Sequence, residues 1–375
     1  MTATQPVDMS TAQRPAVQPL PREVAVYCPF PLRSHPFDTR AIDDQAVMWC
    51  LDQSLCEPGS IATRMACAAG IAPALPHAPD STILAATKLF YWGTQLDDHW
   101  DAHPHLELIV AHAGVLHAVM TDGPDVPLPP GDRLAAALRD LRGQLETVLT
   151  DTEILWFRTE FAAWLNGQQH YTALQRQTTP PSLGQYMRMR WAKSGVGTLL
   201  PFTPATMGCR LSPRALDDPP VHAFVKATMM ATALLNDLYS AAKERSAGTA
   251  TTNLIAILTH DHDLEPAAAV METWRLYERT VALAWHLQQQ LRTDPRPAVA
   301  RLAADLPNWI PAGIHWAATT PRYHQHTDST PTSFTPAQVV LSDTPALADP
   351  DDLTPPPYPE IAGWWRYATS GGRRR

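Results

Sequence analysis

Between about residues 38 and 320, apolar side chains recur every three or four positions, as in "LELIVAHAGVLHAVM", "DRLAAALRDLRGQLETVL", "FVKATMMATALLNDLYSAAKE" and "AAAVMETWRLYERTVALAWHLQQQLR". That period lays one apolar stripe along each helix, whereas the period of two that marks a half-buried strand is scarce. Breaks rich in Pro, Gly and Asp, such as "TDGPDVPLPPGD", "QTTPPSLG" and "LSPRALDDPP", punctuate the series. There is no internal repeat. The pattern predicts an all-α fold, with one helical domain over residues 26–325. Residues 1–25 read as a Pro-rich flexible N-terminal segment and residues 326–375 as a Pro-rich C-terminal tail.

Composition narrows the function classes. Of 375 residues, 45% are hydrophobic and 18% charged, enough apolar material for a large core. A formal net charge of -8 argues against nucleic acid as a partner, because phosphate binding needs clustered Lys and Arg. The five cysteines (Cys28, Cys50, Cys56, Cys67 and Cys209) lack CxxC spacing, so they predict buried small side chains in a reducing compartment. The N-terminus has neither the basic nor the apolar region of a secretory signal, and no run of 18 apolar residues occurs. The expectation is a cytoplasmic protein without stable membrane insertion, which must meet any greasy ligand in an interior pocket.

Two stretches carry candidate chemistry. In "STILAATKLFYWGTQLDDHWD", with a Ser cap at its start, Asp97 and Asp101 fall at i and i+4 on one helix face, and Asp98 lies about 100° round it. Phe90 and Gly93 or Thr94 precede them on that face, which suggests an apolar cavity with an anionic rim. Taken alone, the run reads rather as a solvated helix end. A competing reading uses His99, His103 and His105 as ligands of a softer metal, but Pro104 would end the helix there and leave the rings poorly fixed. In "NDLYSAAKE", Asn236, Ser240 and Glu244 climb one face at i, i+4 and i+8, and three such oxygens suit an octahedral Mg²⁺ that keeps positions for water and substrate. Thr232 and Met229 lie upstream on the same stripe as candidate wall residues.

Together, "LDDHWD" and "NDLYSAAKE" resemble the two metal motifs of class I terpene synthases, an aspartate-rich run and an Asn/Asp, Ser/Thr, Glu triad. Two further markers extend the resemblance over most of residues 25–325. "HWAATTPRY" places Arg322 and Tyr323 where the family carries an Arg-Tyr pair that closes over diphosphate. "YMRMRWAKSG" places Arg190 where the family senses diphosphate, with Lys193 and Ser194 at the following helix break. Arg188 competes with Arg190, and Arg366-Tyr367 in "GWWRY" competes with the later pair. "VYCPFPLRSHP" is similar to the entry segment of 2-methylisoborneol synthases, although Asp101 follows Asp97 by four residues where that branch commonly has five.

The resemblance implies a helical bundle around a central apolar cavity. It also implies a Mg²⁺-dependent cyclase that ionises an acyclic prenyl diphosphate of C10 to C15, with 2-methylgeranyl diphosphate among the candidates. Three Mg²⁺ ions would be held by Asp97, Asp98, Asp101, Asn236, Ser240 and Glu244. Arg190, Lys243, Arg322 and Tyr323 would bind the diphosphate, with Arg190, Arg322 and Tyr323 taking part in catalysis. Phe90, Thr94, Met229, Thr232 and Trp316, with Trp191 as a further candidate, would form the wall. A homodimer is an open expectation. The alternatives are a non-catalytic isoprenoid-binding helical protein and a metal-dependent phosphohydrolase built on "THDHDLEP", where Asp263 reads as a helix cap.

Overall fold

Local chemistry sets the helix ends. In the computed structural model, which describes residues 24–36, 38–103, 105–205, 210–324 and 339–369, helix α1 (Thr39–Asp52) starts at Asp38, whose carboxylate accepts the Arg40 N–H at 3.0 Å. Helix α2 (Asp80–Ala102) begins two residues earlier than a Ser81 cap would set it: Pro79 holds the cap position and Ser81 lies within the first turn. Helix α3 spans Leu106–Thr121. Asp132 caps α4 (Arg133–Val148) by accepting the Ala135 N–H at 2.9 Å. In α5 (Asp151–Gln175) Glu153 reaches back to the Thr150 N–H, and in α6 (Leu183–Lys193) Gln185 does the same for Ser182.

Helix α7 (Pro219–Ala247) opens on two prolines and stops at Gly248, which takes the left-handed conformation (φ +74°) that a side chain would strain. Asn253 caps α8 (Leu254–Asp261). Helix α9 (Pro266–Leu291) is preceded by Glu265 at the cap, not by Asp263, which sits in the left-handed turn before it (φ 51°). Helices α10 (Pro297–Asp305) and α11 (Trp309–Thr319) follow.

Helix α7 runs through the centre. It packs along α9 and against α6, α8 and α11, and buries Phe224, Met230, Leu234 and Leu238. Each such side chain contributes roughly 1.5–3 kcal/mol by leaving water. Helix α2 packs on α1 and α4, while α5 packs on α3 and α6. The space between α2 and α5 on one side and α7 and α11 on the other is the cavity described below.

Part of the segment read as a tail is docked. Strand β1 (Val24–Tyr27) pairs in parallel with β2 (Val339–Ser342), in the register Val24 to Val339. The buried Glu278 carboxylate on α9 accepts the N–H groups of Ala346, Leu347 and Ala348 at 2.7–2.9 Å. Trp365 is fully buried. Cys28, Cys50 and Cys67 are buried and Cys56 is half-buried, all as free thiols, and Cys209 lies outside the described residues. Among the described residues, no helix is long and apolar enough to cross a membrane.

Candidate active site

One cavity of about 790 Å³ receives side chains from both motifs. Its mouth is polar. Helix α2 brings Asp97, Asp98 and Asp101 to one side, and α7 brings Asn236, Ser240 and Glu244 to the other. Arg190, Lys193, Lys243, Arg322 and Tyr323 stand between them.

On the α7 side the Glu244 carboxylate is held by neutral donors. The Ser240 hydroxyl donates to Glu244 Oε1 at 2.6 Å, and Asn253 Nδ2 donates to Glu244 Oε2 at 3.0 Å. Asn236 Oδ1 accepts from Arg190 Nη2 at 2.8 Å, while its Nδ2 donates to the Tyr323 hydroxyl at 2.9 Å. Arg190 is buried and braced from behind by Asp237, whose Oδ1 accepts its Nε at 2.9 Å and whose other oxygen accepts the Tyr186 hydroxyl. Burial alone would weaken the charge on Arg190, but the Asp237 carboxylate outweighs it and keeps the guanidinium protonated.

The α2 side is held by cations. Arg322 grips Asp98 with two parallel bonds, 2.6 Å from Nη1 to Oδ2 and 2.8 Å from Nη2 to Oδ1, and Lys243 reaches Asp98 Oδ1 at 3.1 Å. Asp97 Oδ1 accepts from Lys193 Nζ and from Gln168 Nε2, the latter at 2.9 Å. Burial opposes ionisation of Asp97 and Asp98, but the surrounding cations prevail and hold both carboxyls below the usual range. Asp101 behaves differently: burial, and then the neighbouring Asp97 charge, push it up to about 6. Among the described residues, no three His, Cys, Asp or Glu side chains are gathered into a metal cage.

Below the mouth the lining is apolar and aromatic. Phe90 and Trp316 pack with ring centroids 4.6 Å apart, and Trp164, Trp309 and Leu89 extend the wall. The indole N–H groups of Trp316 and Trp309 are spent on the Met65 carbonyl and the Thr203 hydroxyl, both bonds turned into the protein. Gly70 makes room for Trp316, since an added Cβ would lie 3.0 Å from it. Thr94 and Thr232 also line the cavity, with the Thr232 hydroxyl bonded to the Met229 carbonyl at 2.8 Å.

Two expected wall residues do not reach this space. Met229 is buried outside the lining, because the helix-break segment Val196–Thr198 crosses over it; a Cβ on Gly197 would fall 2.6 Å from its terminal carbon. Trp191 points away from the cavity and carries the Lys226 ammonium over its ring at 3.6 Å. Arg188 is exposed and paired with Glu360, so of the two candidate arginines it is Arg190 that enters the mouth. Arg366 and Tyr367 lie outside the lining, on a short turn packed against α7 and α9. His103 bonds the His99 carbonyl, and in "THDHDLEP" Asp261 accepts the Leu183 N–H while His260 and His262 are exposed. Neither group forms a site.

Sequence reasoning missed Gln168, Lys193 as a partner of Asp97, Asp237 and Asn253. The one available signal was Gly167. A Cβ there would sit 2.6 Å from the Lys193 backbone nitrogen, so this glycine permits the close crossing of α5 and α6 that delivers Gln168 and Lys193 together.

A helical bundle around an apolar cavity, with acids on one helix and an Asn, Ser, Glu series on a facing helix at the mouth, defines a class I terpenoid cyclase. The chain belongs to terpene synthase family 2, whose C-terminal metal-binding model matches residues 88–282. It is 28% identical over 355 residues to bonnadiene synthase of Allokutzneria albata, covering 91% of this chain and 96% of that one. It is 25% identical over 361 residues to the (+)-T-muurolol synthase ((2E,6E)-farnesyl diphosphate cyclizing) of Streptomyces clavuligerus, covering 92% and 82%. Its fold matches the crystal structure of the SVS_A2 protein from ancestral sequence reconstruction with a TM-score of 0.77, at 22% identity and 92% and 98% coverage. The family membership makes this a divalent-metal-dependent terpene cyclase.

Proposed function

We propose that the protein binds an acyclic prenyl diphosphate of about fifteen carbons or more with its diphosphate in the charged mouth, and ionises it to a cation that cyclises in the aromatic cavity. The observation that carries this reading is the continuity of one cavity from the Asp97 and Glu244 sides down to Phe90 and Trp316. Its volume lies in the upper part of the range of small-molecule pockets, roughly 300–1,000 Å³, which favours the long end of the prenyl series over C10 or a methylated C11 chain. The T-muurolol synthase relative, whose name specifies farnesyl diphosphate, supports the same choice.

The donor set fits Mg²⁺. Asn236, Ser240 and Glu244 offer hard oxygens, of which those of Ser240 and Glu244 lie 2.6 Å apart. With Asp97, Asp98 and Asp101 opposite, they would share three ions. Such ions, when bound, neutralise charge on the departing diphosphate as Lewis acids. The chain adds its own donors. Arg190, Lys243 and Arg322 face the position where negative charge grows, and Tyr323 supplies a hydroxyl beside Asn236. When the C–O bond breaks, its electron pair leaves with diphosphate and the allylic cation remains in the cavity. With their N–H groups turned away, Trp316 and Trp309 present π surface to that cation, which stabilises it without offering a nucleophile. The buried thiols support a reducing, cytoplasmic setting.

The test is incubation of the purified protein with Mg²⁺ and, separately, geranyl, 2-methylgeranyl, farnesyl and geranylgeranyl diphosphates, with gas chromatography of the extracts. Cyclic hydrocarbon or alcohol from farnesyl or geranylgeranyl diphosphate is the expected result. Binding of all four without turnover would instead favour an isoprenoid-binding protein.

A further inference from the structure

Lys193 is a buried ammonium whose place in the mouth the cyclase reading does not explain. Its side chain is 11% exposed and it ends on Asp97 Oδ1, an oxygen that the proposed metal site needs. Its backbone cannot retreat, because α6 is pressed against Gly167 of α5. The four-carbon stem can move. Nζ lies 4.5 Å from the Tyr171 ring centroid, a second favourable surface for a cation, and Lys193, Tyr171 and Asp97 all line the cavity. Gln168, the other donor to Asp97 Oδ1, is neutral and would not compete by charge.

Resting on the reading of this mouth as a site for metal and diphosphate, we propose that Lys193 is a positioning residue that makes the two ligands bind together. Without diphosphate its ammonium occupies Asp97 and repels a divalent cation. Diphosphate oxygens in the mouth draw the ammonium off, and Asp97 Oδ1 becomes free to ligate, while Arg322 Nη2 stays 3.5 Å from Oδ2. Linkage makes the effect reciprocal, so metal at Asp97 also strengthens diphosphate binding by releasing Lys193 toward it. The consequence is a mouth that fills as a unit.

The experiment is Mn²⁺ binding to the full chain, read by electron paramagnetic resonance of free Mn²⁺, with and without inorganic diphosphate. It is run on the wild type, Lys193→Gln, Lys193→Met and Lys193→Arg, each checked by circular dichroism. Chelation by free diphosphate is common to all and cancels in the comparison. In the wild type diphosphate tightens Mn²⁺ binding. The Gln and Met variants are expected to bind Mn²⁺ about tenfold more tightly without diphosphate and to lose about tenfold of the diphosphate effect, within the usual range of coupling; Lys193→Arg keeps the wild-type behaviour. Unchanged coupling in folded Gln and Met variants overturns the proposal, as does equal loss in all three, which would mark Lys193 as structural. A wild type that binds no Mn²⁺ in either condition overturns the metal-site reading and the proposal with it.

Discussion

Glu244 on α7 is fixed by Ser240 and Asn253, both neutral donors, whereas Asp97 and Asp98 on α2 are gripped by Lys193, Lys243 and Arg322. Both sides present carboxylate oxygen to the same cavity, yet a metal arriving at Glu244 meets a carboxylate held by neutral donors, with Arg190 on the neighbouring Asn236 amide, and one arriving at Asp97 or Asp98 must displace a cation. Neutral hydrogen bonds leave a carboxylate's charge available; ion pairs neutralise it. On the proposed reading, the Glu244 carboxylate would carry the standing metal affinity and the α2 carboxylates the response. The cations on the α2 side are also the groups that would receive diphosphate.

The largest effect should come from emptying the α7 side. Glu244→Ala or Asn236→Ala is expected to lower turnover by roughly 10²–10³-fold or more, comparable to losing a main transition-state stabiliser, with helical circular dichroism intact. Retained activity in both variants would remove the basis for the comparison. Next is Arg322, which bridges Asp98 and the mouth. Arg322→Ala should cost about 10²-fold in kcat/KM, and Arg322→Lys should recover little, since a lysine cannot reproduce the two parallel bonds. Full recovery by lysine would show that charge alone matters there.

A smaller effect is expected at Asn253. It donates to Glu244 Oε2 at 3.0 Å and caps α8, so Asn253→Ala should weaken Mn²⁺ binding by about 10–100-fold, as loss of a partner behind a ligand does. It should also lower stability by roughly 1 kcal/mol through the lost cap, measured by urea titration. Loss of stability without loss of Mn²⁺ affinity would limit Asn253 to the cap.

The smallest is a pH effect at the end of α2. His112 accepts the Trp100 indole N–H through Nδ1 at 3.1 Å, and burial lowers its pKa below 6.5 although Asp132 opposes this. A base with a depressed folded pKa stabilises fully above its ordinary value and loses that contribution as pH falls through the folded one. The wild type should therefore lose more Tm than His112→Gln between pH 7.5 and pH 5. Parallel decline of the two would deny His112 this part.

Much of the site was legible because it is written along single helices. Asn236, Ser240 and Glu244 at i, i+4 and i+8 must share a face of any helix that contains them, and Asp97 and Asp101 obey the same geometry. What could not be read is what one helix does to another. Met229 lies on the same stripe as Thr232, but a break segment from elsewhere in the chain covers it. Lys193 meets Asp97, and Asn253 meets Glu244, only because helices cross where Gly167 and the α8 cap allow. Trp365 closes against the core although the proline-rich stretch around it reads as a tail, since proline content reports extended backbone and not whether that backbone finds a surface.

Whether α2 and α7 act on one ligand across one mouth is decided by anomalous diffraction from crystals grown with Mn²⁺ and inorganic diphosphate. Manganese peaks are expected on both sides of a single bound diphosphate, one set within bonding distance of Asn236, Ser240 and Glu244 and another at Asp97. Manganese confined to the outer surface, or diphosphate bound away from Arg190 and Arg322, would contradict that arrangement.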